Sequence, residues 1–306
     1  MTSTSKNPSL AIIGSRSMVG SRFCELAQDN FNLTKADLSG KISVDITEET
    51  SVDDFFRKYN FSYAILFSAF TDVNGAEKQR NDKNGTCWQI NVNGVKNIVS
   101  ACAKFKRKLI FISTDFVFDG SAGPYTEEDQ VGPNFDIVSW YGITKIEAEK
   151  LILSNLPESI VIRIAYPFRG PFTAKDDIAK RILRLYSQKK LYPVFADQTI
   201  TPTFIDDLAG AITLLINKNK SGIFHVVSPL PTTQYEFAKV LVARFGFDSK
   251  DVKKGSLREL LKKDNVAPRP IQDILKAEKI ASLGFITTNW RDGIEIIFSQ
   301  SRGQLI

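Results

Sequence analysis

The chain is predicted to be an α/β protein: a doubly wound parallel sheet with helices on both faces, joined to a smaller second α/β domain. Two observations carry this prediction. Through the first half, short runs of branched apolar residues alternate with amphipathic segments, as expected for strand–helix units whose strands are buried on both faces. After Ala165 the pattern loosens, and Tyr166-Pro-Phe-Arg-Gly-Pro171 gathers residues that interrupt regular structure. A length of 306 residues suits one large domain or two modest ones.

The elements follow in order. Ser9–Ile13 reads as a buried strand closed by Gly14. Met18–Asp29 places Val19, Phe23, Leu26 and Ala27 on one helical face. Further strand-like runs lie at Asn32–Asp37, Tyr63–Ser68, Lys108–Thr114 and Ser159–Ala165. Helical patterns at Ser51–Asn60, Cys87–Phe105 and Trp140–Asn155 separate them. Beyond the breaker, Asp206–Asn217 reads as a helix and Gly222–Val227 as a strand able to rejoin the sheet. Helices are expected near Gln234–Phe245, Asp273–Leu283 and Asn289–Ser299. The expected division is 1–165 plus 206–228 for the larger domain and 166–205 plus 229–306 for the smaller. Crossovers should be right-handed, with the ligand site at the carboxyl ends of the strands.

Composition narrows the function classes. Lys+Arg is 40 against Asp+Glu 34, a net charge of +6 that suits an anionic ligand without singling out nucleic acid. Three cysteines, Cys24, Cys87 and Cys102, show no CxxC spacing, so neither a disulfide framework nor a zinc site is expected. The N-terminal stretch MTSTSKNP lacks the apolar core of a targeting peptide, and no apolar run approaches the ~20 residues of a membrane helix. A cytoplasmic protein without membrane or nucleic-acid partners is the expectation. His225 is the only histidine, which excludes two-histidine zinc hydrolysis and weakens a Ser-His-Asp reading. It stands in the apolar run Ile223–Val227 and reads as structural.

The first strand leads into Gly14-Ser-Arg-Ser-Met-Val-Gly20, which opens the first helix. A tight glycine turn brings backbone N–H groups to a pyrophosphate, and the positive helix end favours it. This context points to a Rossmann-type dinucleotide site in the larger domain. Asp37 ends the second strand-like run, where a carboxylate accepts bonds from ribose hydroxyls and repels a 2′-phosphate. Arg16 points the other way, since a guanidinium suits that phosphate. The cofactor is therefore NADP or NAD, with the preference open.

Tyr141-Gly-Ile-Thr-Lys145 lies on a predicted helix, so the phenol and ammonium share a face. Lys145 can bind the nicotinamide ribose, and its charge should lower the phenol pKa. Tyr141 can then exchange a proton with a carbonyl oxygen. Upstream, Ser113-Thr114-Asp115 closes a strand, and Thr114 can hold the same oxygen.

Further segments carry a resemblance: Ser113-Thr-Asp-Phe-Val-Phe-Asp-Gly120, Pro124-Tyr125 with Glu127, Thr71-Asp-Val-Asn-Gly-Ala-Glu77, Asp197-Gln198 with Thr201-Pro-Thr203, and Arg269-Pro270. With the glycine loop and Tyr-x-x-x-Lys in order, the sequence resembles the extended short-chain dehydrogenase/reductases. Within them it is most similar to the dTDP-4-dehydrorhamnose reductases. The resemblance implies an NAD(P)H-dependent reductase of a nucleotide-linked 4-keto-6-deoxy sugar. It implies Thr114, Tyr141 and Lys145 as catalytic, and Gly14, Arg16, Ser17, Met18, Val19 and Gly20 around the pyrophosphate. Asp45 and Ile46 would contact adenine, while Ser68, Ala69, Phe70 and Ser113 would line the cofactor. Thr71, Asp115, Phe116, Tyr166, Asp197, Gln198 and Arg269 would lie on the nucleotide-sugar side.

Departures from the pattern fall mostly on that side. Ser17 stands for a glycine, Ile200 for a glycine, Tyr166 for a tryptophan, and Gln272-Asp273 for Asn-Ser. Two alternatives share the same motifs: a nucleotide-sugar epimerase or epimerase/reductase, and a non-catalytic NAD(P)-binding regulatory subunit like the methionine adenosyltransferase β subunit. Some relatives dimerise, so a homodimer is among the expected states.

Overall fold

The computed structural model describes residues 8–306. Residues 1–7 of the stretch read above as lacking a targeting core lie outside the described residues. The chain runs through β1 (Ser9–Ile13), α1 (Met18–Ala27), β2 (Asn32–Ala36), α2 (Glu49–Lys58), β3 (Tyr63–Leu66), α3 (Val73–Glu77) and α4 (Thr86–Trp88). A π-helical segment, Gln89–Gly94, joins α4 to α5 (Val95–Phe105), followed by β4 (Lys108–Thr114), α6 (Trp140–Asn155) and β5 (Ile160–Ile164). Then come α7 (Ile178–Ser187), β6 (Val194–Phe195), β7 (Thr199–Ile200), α8 (Asp207–Asn217) and β8 (Gly222–His225). The last part holds β9 (Thr232–Thr233), α9 (Gln234–Arg244), β10 (Lys254–Gly255), α10 (Leu257–Leu261), β11 (Gln272–Asp273), α11 (Glu278–Ser282) and α12 (Trp290–Gln300).

The main sheet has the order β2-β1-β3-β4-β5-β8, and every pair in it is parallel. Side chains alternate between its faces with period two, and both faces are covered. Leu10, Ile12, Ile65, Ile110, Ile160 and Ile162 enter one core with α1 and α8. Ala11, Ile13, Ala64, Leu66, Leu109, Phe111 and Val161 enter the other with α2 and α5. That double burial is why the strands read as unbroken apolar runs. The chain leaves β1 for β2 and returns to β3 on the opposite side of β1. The carboxyl ends of β1 and β3 therefore flank a crevice at this reversal, the expected ligand position.

A third core joins Phe168, α7, Phe204, Phe237, Leu241, Trp290 and Ile294. Two small sheets accompany it, β10-β6 and β11-β7-β9. Leu275, Ala277 and Ile280, although late in the chain, pack into the first core. The helix expected over Asp273–Leu283 is confined to α11. Its first residues are extended because Gln272 and Asp273 pair with β7, and Leu275 bridges Tyr125. Helix α7 was not among the expected elements although Ile178, Ala179, Ile182 and Leu183 bury one helical face, and the two-residue strands are too short to show a period. Among the described residues, no helix is long and apolar enough to cross a membrane.

Candidate active site

The loop after β1 is shaped by one close approach. Gly14 has φ +88°, and a Cβ there would sit 2.6 Å from Ser68 N. Only glycine brings this turn against the end of β3. Ser17, standing where a glycine was expected, caps α1: its hydroxyl donates to Gly14 O at 2.7 Å and accepts from Gly20 N–H at 3.0 Å. The amides of Met18 and Val19 precede the first intrahelical bond, and both residues line the cavity. Asp37 Oδ2 accepts the Arg16 N–H at 2.8 Å and Oδ1 the Leu38 N–H at 2.9 Å. The Arg16 guanidinium turns to Ser39 O at 2.7 Å.

Helix α6 begins at the N-cap Ser139, whose hydroxyl accepts from Gly142 N–H at 3.1 Å. Its first turns are largely buried, including Tyr141, Thr144, Lys145 and Glu149, while Lys150, Ser154 and Asn155 are exposed. A Cβ on Gly142 would lie 2.2 Å from Phe116 O, so glycine admits the turn that follows β4. Tyr141 meets the Phe116 ring edge-on, with centroids 5.8 Å apart. Thr114 Oγ1 donates to Asp115 Oδ1 at 2.6 Å. Lys145 Nζ donates to Ile112 O at 2.8 Å and lies 3.8 Å from the Phe111 ring centroid.

The electrostatics correct one expectation. The Lys145 charge was expected to lower the Tyr141 phenol. Instead burial raises that phenol, the Asp115 charge adds to the rise, and a hydrogen bond with Thr114 opposes it. Burial also pushes Lys145 down to about 7, with Glu149 partly opposing. Desolvation outweighs pairing at both groups, because Lys145 faces a carbonyl and a ring rather than the phenol.

These elements border a single cavity of 1780 Å³. Drug-sized ligands occupy roughly 300–1,000 Å³, so there is room for two ligands side by side. Its walls include Gly14, Arg16, Ser17, Met18, Val19, Asp37, Asp45, Ile46, Ser68 and Ala69 on the glycine-loop side. Ser113 and Thr114 at the end of β4, Tyr141 and Lys145 on α6, and Thr71, Asp115, Phe116, Tyr166 and Arg269 also line it. The structure thus brings together most residues singled out in the sequence.

Four lie behind the walls. Gly20 is buried inside α1, where a Cβ would meet Gly14 O at 2.2 Å. Phe70 packs with Trp140 and Tyr141. Asp197 accepts from Ser256 Oγ at 2.6 Å, Leu257 N–H at 2.7 Å and Arg258 N–H at 3.1 Å, capping α10. Gln198, fully buried, donates to Tyr166 Oη at 2.8 Å and Pro270 O at 2.7 Å, and accepts from Gln234 at 2.6 Å. The Ser113 hydroxyl also turns away, donating to Glu149 Oε1 at 2.5 Å.

Several residues escaped sequence reasoning. Asn91, in the π-helical segment, accepts Phe70 N–H at 2.8 Å and donates to Phe70 O at 3.0 Å, fixing the loop after β3. Lys175, Arg181 and Lys263, together with Arg269, contribute positive charge to the cavity wall. Arg181 sits on α7, a helix not among those expected. Asp273, noticed only as a departure, is fully buried.

Comparisons with known proteins agree with this fold. A dTDP-4-dehydrorhamnose reductase of Mycolicibacterium smegmatis is 30% identical over 291 residues, covering 94% of this chain and 84% of the relative. The structure of the dTDP-4-dehydrorhamnose reductase of Bacillus anthracis in complex with NADP superposes with a TM-score of 0.85 at 25% identity, covering 96% of this chain and 99% of that one. The Thermus thermophilus UDP-glucose 4-epimerase in complex with NAD shares the fold, with a TM-score of 0.74 at 15% identity over 97% of this chain and 99% of that one. Residues 9–302 match the family described as the RmlD substrate binding domain, and the chain belongs to that family.

Proposed function

We propose that this chain is an NAD(P)H-dependent oxidoreductase that reduces the C4 carbonyl of a nucleotide-linked 4-keto-6-deoxy sugar. The substrate we assign is dTDP-4-dehydrorhamnose, in dTDP-rhamnose synthesis in the cytoplasm. The observation that carries this reading is the meeting of Thr114, Tyr141 and Lys145 on the wall of one cavity that the glycine loop and Arg269 also line. The larger domain, 1–165 plus 206–228, would hold the dinucleotide, and 166–205 plus 229–306 the nucleotide sugar.

The residues fit a nicotinamide dinucleotide. The Met18 and Val19 amides at the start of α1 suit a pyrophosphate, and Asp37 suits a ribose. When bound, the cofactor supplies the hydride that reaches the carbonyl carbon. Lys145 would hold the adjacent ribose. Thr114 and Tyr141 would bond the carbonyl oxygen, and Tyr141 would give its proton to the alkoxide. A phenol kept neutral by burial suits a proton donor, which reduction requires. Tyr166 would pack near the sugar, while Arg269, Lys175, Arg181 and Lys263 would face the diphosphate.

Replacing Tyr141 by phenylalanine tests the reading. Turnover with NADH or NADPH and dTDP-4-dehydrorhamnose should fall by about 10²–10⁴-fold, the range for a lost general acid. Cofactor binding, followed by fluorescence, should persist. Undiminished turnover in Tyr141→Phe would remove the mechanism.

A further inference from the structure

At the inner wall of the cavity Asp115 is backed by a second carboxyl, Asp273, which lies behind the wall. Asp115 follows Thr114 at the end of β4, and Asp273 closes β11. Gln272 N–H donates to Gly120 O at 3.1 Å and Tyr125 N–H to Ile274 O at 2.7 Å, so the strand carrying Asp273 is fastened to the loop after Asp115. Asp273 is 0% exposed and Asp115 2%. Asp115 Oδ1 has Thr114 as its partner. Asp115 Oδ2 and both Asp273 oxygens have no donor among the described residues.

Ionised carboxylates only accept hydrogen bonds. Two of them side by side would leave those buried oxygens unsatisfied and set like charges together in a low dielectric. One proton between them relieves both problems. Burial raises Asp115 and raises Asp273 well above the carboxylate range, with the Asp115 charge adding to the rise at Asp273. The titratable groups near the pair are the phenols of Tyr141 on α6 and Tyr166, with Cys87 of α4 beside Tyr141. Arg269 acts on Tyr166, but its guanidinium donates to Ala267 O at 2.9 Å and Asn74 Oδ1 at 2.8 Å.

Thr114 joins this pair to Tyr141. Its single hydroxyl proton can go to Asp115 or to Tyr141, but not to both. We propose that Asp115 and Asp273 hold one proton in common and that this proton resets Tyr141 through the Thr114 hydroxyl after each reduction. This rests on the reductase reading above. Once the Tyr141 proton has passed to the alkoxide, the Thr114 O–H bond breaks and its proton moves to the phenolate. The Asp115 O–H bond breaks in turn, and that proton moves to the Thr114 oxygen. No electrons are exchanged in these transfers. The carboxyl pair, then doubly ionised, takes one proton from water as the product leaves. Asp273 acts through Asp115 and is a positioning residue.

Two measurements test this. Infrared spectra of the ligand-free protein at neutral pH should show a carboxylic-acid carbonyl band that Asp273→Asn removes and that Asp115→Asn shifts in frequency, because the proton then rests on Asp273 alone. The second variant decides the matter if the first does not fold. In the pH profile of NADH-dependent reduction of dTDP-4-dehydrorhamnose, Asp273→Asn should move the alkaline limb down by about one unit or more, because Asp115 loses its acidic neighbour. KM should stay within about twofold, as for a group that acts only in the chemical step. A wild-type spectrum without the band overturns the shared proton. A wild-type pH profile in Asp273→Asn overturns the relay while leaving the reductase reading intact. Absence of wild-type turnover with the band present overturns the reductase reading, and the relay with it, but not the shared proton.

Discussion

Substitution of Asp37 by serine should change which dinucleotide the protein prefers. The carboxylate is held at the end of β2 by the Arg16 and Leu38 amides, at 2.8 and 2.9 Å. Both oxygens keep a lone pair for ribose hydroxyls. A 2′-phosphate, carrying about −1.5 to −2 charges, would sit beside a fixed negative charge. At about 5 Å, Coulomb's law gives roughly 0.8 kcal/mol per unit charge in water and about 3 at an effective dielectric of 20. Asp37 is half-buried, so the lower part of that range applies after screening. A penalty of about 1.5–2.5 kcal/mol corresponds to a preference for NADH over NADPH of roughly ten- to seventyfold. The Arg16 guanidinium, engaged with Ser39 O, does not offset it. Asp37 also orders the loop through Arg16 N–H, so Asp37→Ser will weaken both cofactors somewhat. The informative quantity is therefore the ratio of dissociation constants, measured by fluorescence titration of each protein with each dinucleotide. The ratio should collapse by about tenfold or more, given the penalty above. A wild-type preference for NADPH, or an unchanged ratio in the variant, refutes the argument.

Two further predictions concern stability. His225 is fully buried against Lys276 O and Arg163, and burial holds its pKa down to about 3. Between pH 6.5 and 3 the unfolded chain binds a proton that the native state refuses, so stability falls as pH drops through that window. The slope approaches about 1.4 kcal/mol per unit, so wild type should lose about 2 kcal/mol more than His225→Gln between pH 6.5 and 4.5 by urea unfolding. Equal losses would refute this; Asp177, raised by burial to about 6, works in the opposite sense but is common to both proteins. Glu149 is the sole carboxylate partner of the buried Arg163, through contacts of 3.1 and 2.7 Å among the described residues. Glu149→Ala should cost about 3–5 kcal/mol in urea unfolding, the penalty for stranding a buried charge, and a cost near zero would show the pair to be dispensable.

How much of this was legible in the sequence depends on the kind of information each residue carries. Strands buried on both faces announce themselves as apolar runs, so the β1, β4 and β5 segments emerged close to their observed bounds. The glycine loop and the Tyr141–Lys145 spacing are local patterns, and local patterns survive reading along a line. Positions set by distant partners do not. The Asp273 segment looked helical by composition, yet its backbone is drawn into an extended form by β7 and by the 120–125 loop. Asn91 is ordinary in the sequence; its role comes from the π-helical segment that turns its amide toward Phe70. Asp197 and Gln198 match a motif, but the structure uses their side chains to brace α10 and Tyr166 rather than to line the cavity.

The reversed phenol shift is the most instructive of these differences, because it bears on the direction of the chemistry. A tyrosine that must abstract a proton from an alcohol needs its phenolate near neutral pH. A tyrosine that must protonate an alkoxide needs the reverse, since the alkoxide is the stronger base and the donor has only to be protonated. Burial and the neighbouring Asp115 keep Tyr141 protonated, and Lys145, pushed down to about 7, is poorly placed to oppose them across a carbonyl and a phenyl ring. On the proposed reading, this arrangement suits proton delivery to the carbonyl oxygen, the step that completes a reduction. Proton-abstracting chemistry at the same tyrosine would require Lys145 to leave Ile112 O and turn its charge toward the phenol.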